Sequence, residues 1–253
     1  MQIYITEDGI RLNTKLDDPL EKQEKNPLVI VIHGFTGNME ERHIVALSQM
    51  FNRIGCTTLR VDMYGHGQSD GSFEKHTLYK WLTNALTVID FAKKLNGVSE
   101  IYLCGHSQGG LTVLLAAAMK HEIIKGIILM SPALIIPDGA RKGYLLDCSF
   151  DPERIPDRIV SDRGFVLDGN YFRVAQTIHV EDAIKKFRGP VCLVHGEKDK
   201  TVPVQCSIKV HDSCSNAELT ILPDDTHCYD YHLDMAAAAV EKWMKNQLSG
   251  GLI

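Results

Sequence analysis

Gly105-His106-Ser107-Gln108-Gly109 follows an apolar run and leads into an Ala- and Leu-rich stretch ending near Met119. A serine between two glycines at a sharp strand-to-helix turn has its Oγ lifted clear of the sheet on strained backbone. The pattern reads as a nucleophile for acyl transfer. A phosphate-binding loop is the rival reading, but the Lys-Ser/Thr of a Walker motif and the G-x-G-x-x-G spacing are both missing. A serine hydroxyl is weak at its free pKa, so it needs a base, and the base needs an orienting carboxylate. In this strand-turn-helix setting the chain order is serine, acid, histidine. His227 stands just past the last apolar run and before the last helical pattern, a place from which an imidazole reaches Ser107. Of the other ten histidines, His195 falls in a strand run and His211 in a helical one, and both read as structural; His33 and His106 precede the acid.

The acid is expected after the run Val191-Cys192-Leu193-Val194-His195-Gly196. Asp199 fits best, because its loop neighbours that of His227 in the expected sheet order. Glu197, Asp224 and Asp225 are the competing carboxylates, and Asp199 is also placed to cap a helix. The turn His33-Gly34-Phe35-Thr36-Gly37 lies directly after another buried strand. It points to Phe35 and Gln108 as the backbone N–H donors of an oxyanion hole, each worth about 2.7–4 kcal/mol to a tetrahedral oxyanion. No His or Cys spacing of the His-Glu-x-x-His kind occurs, so neither metal nor organic cofactor is expected.

The elements that must position these residues follow from periodicity. A hairpin is predicted over 2–6 and 10–16, then strands over 28–33, 57–62, 101–105, 126–131, 191–196 and 218–222. Helices are predicted over 40–54, 78–95, 109–119, 204–213 and 235–247. Strands rich in Val, Ile and Leu alternating with helices imply an α/β fold, a largely parallel doubly wound sheet whose chemistry lies beyond the strands' carboxyl ends. The stretch 132–180 breaks the alternation with scattered prolines and isolated aromatics. Roughly fifty residues are too many for a plain loop, so it reads as an inserted cap or lid. The expected organisation is a core of 1–131 and 181–253 with a cap at 132–180.

Composition narrows the class. The chain has 253 residues, 44% hydrophobic and 23% charged, with 27 Lys plus Arg against 32 Asp plus Glu and a net charge of −5. Such a chain can bury about 70–75% of its unfolded surface without staples. No basic stripe marks a nucleic acid or anionic membrane partner, and no apolar run approaches the ~20 residues that span a bilayer. Seven cysteines without a Cys-x-x-Cys, and an amino terminus without a basic, apolar leader, give the expectation of reduced thiols in a cytoplasmic protein. The sequence is compatible with a homodimer.

Taken together the motifs resemble the α/β-hydrolase superfamily. The stretches around His33–Gly37, Arg60–Asp70, Gly105–Gly110, Asp225–Cys228, Phe150–Pro156 and Gly169–Gln176 look like the cinnamoyl (feruloyl) esterases of gut and rumen bacteria. The resemblance implies an α/β-hydrolase fold with an inserted cap, a serine esterase acting on ferulate, p-coumarate, caffeate and chlorogenate type esters, and a small phenolic ester as partner. It maps the triad onto Ser107, His227 and Asp199 and the oxyanion donors onto Phe35 and Gln108. It also maps onto Tyr171 and Asp138 the cap residues that contact the phenolic ring hydroxyl. Some relatives carry a cap tryptophan, whereas Trp81 and Trp243 here fall in predicted helices. A general carboxylesterase or monoacylglycerol lipase would use the same triad with an aliphatic slot. A ligand receptor without turnover would share the fold alone.

Overall fold

The computed structural model describes residues 1–250, so the last three residues of the expected core lie outside the described residues. The chain opens with the antiparallel hairpin β1 (Gln2–Glu7) and β2 (Ile10–Asp17). Then come β3 (Asn26–Ile32), α1 (Arg42–Arg53), β4 (Thr57–Val61), α2 (Leu78–Ala92), β5 (Val98–His106), α3 (Gln108–Met119) and β6 (Ile124–Met130). The segment after β6 contains α4 (Ile136–Lys142), the ribbon β7 (Tyr144–Leu145) with β8 (Cys148–Ser149), the ribbon β9 (Arg158–Val160) with β10 (Val166–Asp168), and α5 (Gly169–Gln176). The chain returns through α6 (Val180–Lys186) to β11 (Val191–Gly196), α7 (Gln205–Ser213), β12 (Ala217–Leu222) and α8 (Leu233–Gly250).

The eight main strands form one sheet in the order β1-β2-β4-β3-β5-β6-β11-β12. Six of them, from β4 to β12, run parallel, and β2 joins β4 antiparallel. This is the doubly wound α/β architecture that the strand and helix alternation implies. Successive side chains of a strand face opposite ways, and both faces are dry. Leu28, Ile30 and Ile32 of β3 join the layer of α2 and α3, while Val29 and Val31 join the layer of α1 and α8. From β3 the chain winds one way to β4 and the other way to β5. That reversal opens a crevice beyond the carboxyl ends of β3 and β5, where ligands of such sheets bind.

Several boundaries move from the sequence expectation for local reasons. His33 leaves the sheet because its ring is engaged, Nδ1 donating to Gly34 O at 2.7 Å and Nε2 accepting from Met63 N–H at 3.0 Å. The helix expected from residue 40 starts at Arg42, since Glu41 N–H closes a turn on Asn38 O. In 132–180 the ribbons have only two or three residues per strand, too short for alternation to register. The motif 60–70 is structural. Buried Asp62 accepts from Met39 N, Gln68 N and Asn13 Nδ2, and buried Arg60 donates to Met39 O, so together they fix the end of the loop that follows Phe35. Among the described residues no helix is long and apolar enough to cross a membrane, and all seven cysteines are free thiols.

The junction of β5 and α3 tolerates no side chain at its glycines. A Cβ on Gly109 would stand 2.5 Å from Ile32 O and closer still to His33 O. Both obstacles are backbone, so the cost is that of overpacking, about 1–3 kcal/mol. Gly109→Ala should therefore lower the urea midpoint by an amount in that range, and an unchanged midpoint would show that the strand and helix can separate freely here.

Candidate active site

Ser107 sits between β5 and α3 with φ 55° and ψ −120°. For a residue with a Cβ this is a costly conformation, sustained only where surroundings over-determine it. Its N–H donates to Met130 O at 2.9 Å, and its carbonyl accepts from Gly110 N and Ala133 N, each at 2.9 Å. The side chain is thereby presented at the floor of a cavity of about 1230 Å³, which His227, Phe35 and Gln108 also line.

His227 lies in the loop between β12 and α8. Its Nδ1 donates to Asp199 Oδ2 at 2.6 Å, so in the neutral ring the free lone pair is on Nε2. Asp199 carries no exposed surface on its side chain. Its Oδ1 accepts from Thr201 N and Val202 N at 2.8 Å, and His195 Nε2 approaches Oδ2 at 3.2 Å. Burial alone would raise the pKa of this carboxyl. The hydrogen bonds from His195 and His227, the attraction of His227 and the Val202 N–H outweigh it, and the group is held well below the usual carboxylate range. The competing carboxylates are occupied elsewhere. Asp225 accepts from Thr226, Tyr231 and His232 backbone N–H groups, Asp224 pairs with Lys198, and Glu197 accepts from Asp224 N. Among the described residues no hydrogen bond joins Ser107 Oγ to His227. The two face one cavity, and such pairs often tighten only around substrate.

Phe35 and Gln108, the expected backbone donors, both line the same cavity. Gln108 is the first residue of α3, so its N–H has no intrahelical acceptor. The turn from Gly34 to Gly37 closes through Gly37 N–H on Gly34 O at 3.1 Å, with Thr36 at φ 63°. That turn leaves Phe35 N–H unused by its own hydrogen bond. His33, which anchors the turn, is driven down to about 3 by burial and by neighbouring His66, so it remains a neutral bridge.

The cap residues divide. Asp138, in the first turn of α4, lines the cavity and pairs with Arg141 at 2.9 Å. Tyr171, expected to meet a substrate ring hydroxyl, has its own hydroxyl engaged within the fold. It is fully buried and outside the cavity lining, its OH donates to Gln108 Oε1 at 2.7 Å, and its ring packs on His76, Phe172 and Phe35. The reason lies in α5, whose amphipathic face turns Tyr171 inward together with Phe172 and Ala175. Sequence reasoning also set His195 aside as structural, although it touches Asp199. The one signal is its place directly before the acid's turn, four residues ahead of Asp199. Glu41 and His106 line the cavity too, the latter flagged only by its position inside the serine motif. Among the described residues no three His, Cys, Asp or Glu side chains are arranged to hold a metal ion.

Comparison with known proteins fits this arrangement. A profile of the serine aminopeptidase family, S33, matches residues 23–162. The solved structure of Est1E from Butyrivibrio proteoclasticus with ferulic acid bound is similar over 98% of this chain and 99% of that one, with 55% identity and a TM-score of 0.96. A second Est1E structure superposes with a TM-score of 0.92. The mitochondrial palmitoyl-protein thioesterase ABHD10 of Mus musculus is 27% identical over 206 residues, covering 78% of this chain and 67% of that protein.

Two outcomes are expected from these contacts. The depressed pKa of Asp199 stabilises the fold above the unfolded carboxyl value of about 3.9, and the contribution is lost as pH falls through the folded value. The stability gap between the native protein and Asp199→Asn should be widest near neutral pH and should narrow in urea titrations below pH ~4. A gap independent of pH would remove the charge from the account. Tyr171→Phe leaves Gln108 Oε1 buried without its donor and should cost about 1–3 kcal/mol in the same assay.

Proposed function

The chain belongs to the serine aminopeptidase S33 family of serine hydrolases, and from that membership we propose that it is a carboxylic-ester hydrolase cleaving hydroxycinnamate esters through an acyl-enzyme. Ser107 attacks the ester carbonyl while His227 Nε2 takes its proton. Asp199 holds the imidazole in the tautomer that leaves Nε2 free and stabilises the imidazolium as it forms. The N–H groups of Phe35 and Gln108 receive the oxyanion. The alcohol leaves with the proton from His227, and water repeats the sequence on the acyl-enzyme. Each step uses groups already on the chain and calls for no metal or cofactor.

The observation that carries the acyl preference is the end-to-end likeness to Est1E, in whose structure ferulic acid is bound. The walls of the cavity support it. On the cap side they are Ala133, Ile135, Ile136, Leu145 and Leu146, a slot suited to a flat conjugated acyl group. Residues 132–180 act as the cap that makes this slot, and Asp138 at its rim is the group we assign to a phenolic hydroxyl. The unpaired thiols fit a cytoplasmic setting.

The test is a panel of methyl ferulate, methyl caffeate, chlorogenate and short aliphatic esters. Aromatic esters should lead, and a lead for aliphatic esters would make this a general carboxylesterase. Ser107→Ala should lower kcat by at least ~10⁴-fold while leaving ligand binding intact. Retention of a tenth of the activity would break the scheme. Because Tyr171 reaches the site through Gln108, Tyr171→Phe should weaken kcat/KM equally on cinnamate and p-coumarate esters. A loss confined to the hydroxylated ring would return Tyr171 to the phenol.

A further inference from the structure

Three buried polar atoms without a hydrogen-bond partner, Glu41 Oε2, His43 Nε2 (3.9 Å from that oxygen) and His106 Nδ1, belong to one group of side chains beside His227. His106 is its centre. The ring lies edge-on to His43 at 4.3 Å between centroids and 4.7 Å from the ring of His227. Its Nε2 is 2.8 Å from the backbone carbonyl oxygen of His227. A carbonyl only accepts, so Nε2 carries the proton and Nδ1 is bare. Burial, then the neighbouring His43 and His227, hold its pKa far below the usual imidazole value, so the ring is a constant neutral donor.

We propose that His106 is a positioning residue for the base, tying the main chain of His227 through its Nε2–H to the residue directly before the nucleophile. The proposal rests on reading Ser107, Asp199 and His227 as a triad. Asp199 holds the ring of His227 at Nδ1, and a ring held at one nitrogen can still slide with its loop. The rest of that loop is fastened further along, where Tyr229 OH donates to Val194 O and accepts from Ser131 Oγ. His106 supplies the missing hold at the residue itself. It also shortens the path between base and nucleophile to a single side chain, so their separation does not depend on the breadth of the sheet. An imidazole with one nitrogen bare is a costly thing to bury, and a leucine would fill the same space without that cost. The bond to His227 is what a leucine cannot make.

The test compares His106→Leu with His106→Gln, whose Nε2 reaches close to the imidazole Nε2 and keeps a donor. Substrates are p-nitrophenyl acetate and methyl ferulate. Displacements near 1 Å in a catalytic pair cost on the order of 10²-fold. His106→Leu should lower kcat by about that factor on both esters with KM little changed, and His106→Gln should recover most of it. If thermal unfolding shows that the leucine variant does not fold, His106→Asn takes its place, polar but too short to reach the carbonyl, and should lose as much. Native kcat in the leucine or asparagine variant, a glutamine variant no better than leucine, or a loss carried by KM alone would each overturn the proposal. Activity in Ser107→Ala would overturn the triad itself. Failure on methyl ferulate alone would overturn the acyl preference and leave the result on p-nitrophenyl acetate decisive for His106.

Discussion

The backbone of Ser107 is held in a conformation that costs of order 1–3 kcal/mol, and the rest of the site is arranged around keeping it there. The strand and the helix it joins must come so close that Gly105, Gly109 and Gly110 meet neighbouring backbone directly. The same closeness brings the end of β3 against the elbow, where a Cβ on Gly34 would stand 3.0 Å from Ser107 Cβ and 3.1 Å from His106 Nδ1. Phe35 and Gln108, the proposed oxyanion donors, are therefore brought to the cavity beside Ser107 by packing. Four main-chain hydrogen bonds tie Ser107 to Met130 of β6, to Gly110 and Leu111 of α3 and to Ala133 just after β6, and they distribute the strain over the centre of the sheet.

Electrostatics is organised with similar economy. Asp199 is a buried carboxylate ringed by donors, and His227 and His195 both reach its Oδ2. The other imidazoles near the site, His33, His43 and His106, are kept neutral mainly by burial. A neutral imidazole still offers one donor and one acceptor, which suits it to bridging loops without adding a charge. Any cation in their places would oppose formation of the imidazolium on His227. The site thus spends histidines as rigid polar struts, and reserves the charge change for one of them.

Much of this was legible from residue order because elbow, acid loop and histidine loop each follow a strand whose apolar run is unmistakable. Asp199 could be preferred over Asp225 on the order of the strands alone, and the structure shows Asp225 consumed by three backbone N–H groups of its own loop. What could not be read was which way a side chain faces when no period governs it. Tyr171 lies in an eight-residue helix, too short for its inward face to stand out in a segment of ribbons and turns. His195 and His106 looked structural or idle for a related reason: a histidine in a strand gives no sign of which face it serves. The ribbons β7–β8 and β9–β10 were invisible because two or three residues carry no alternation.

The position of Tyr171 changes how the insertion relates to the chemistry. Leu167, Tyr171, Phe172 and Ile159 belong to the same apolar cluster as Trp81 of α2 and Leu111 of α3, so 132–180 has no core of its own. A segment built this way shares its core with the layer beneath it. One buried polar tie runs from the Tyr171 hydroxyl to the side chain of Gln108, whose N–H is the proposed oxyanion donor. Changes that move α5 must therefore move, or unfasten, the side chain of Gln108, the residue next to Ser107. Substitutions at the exposed rim, such as those around Asp138 and Tyr144, meet no such penalty. Substrate range can drift at the rim while the inner face of the cap stays fixed by the elbow it touches.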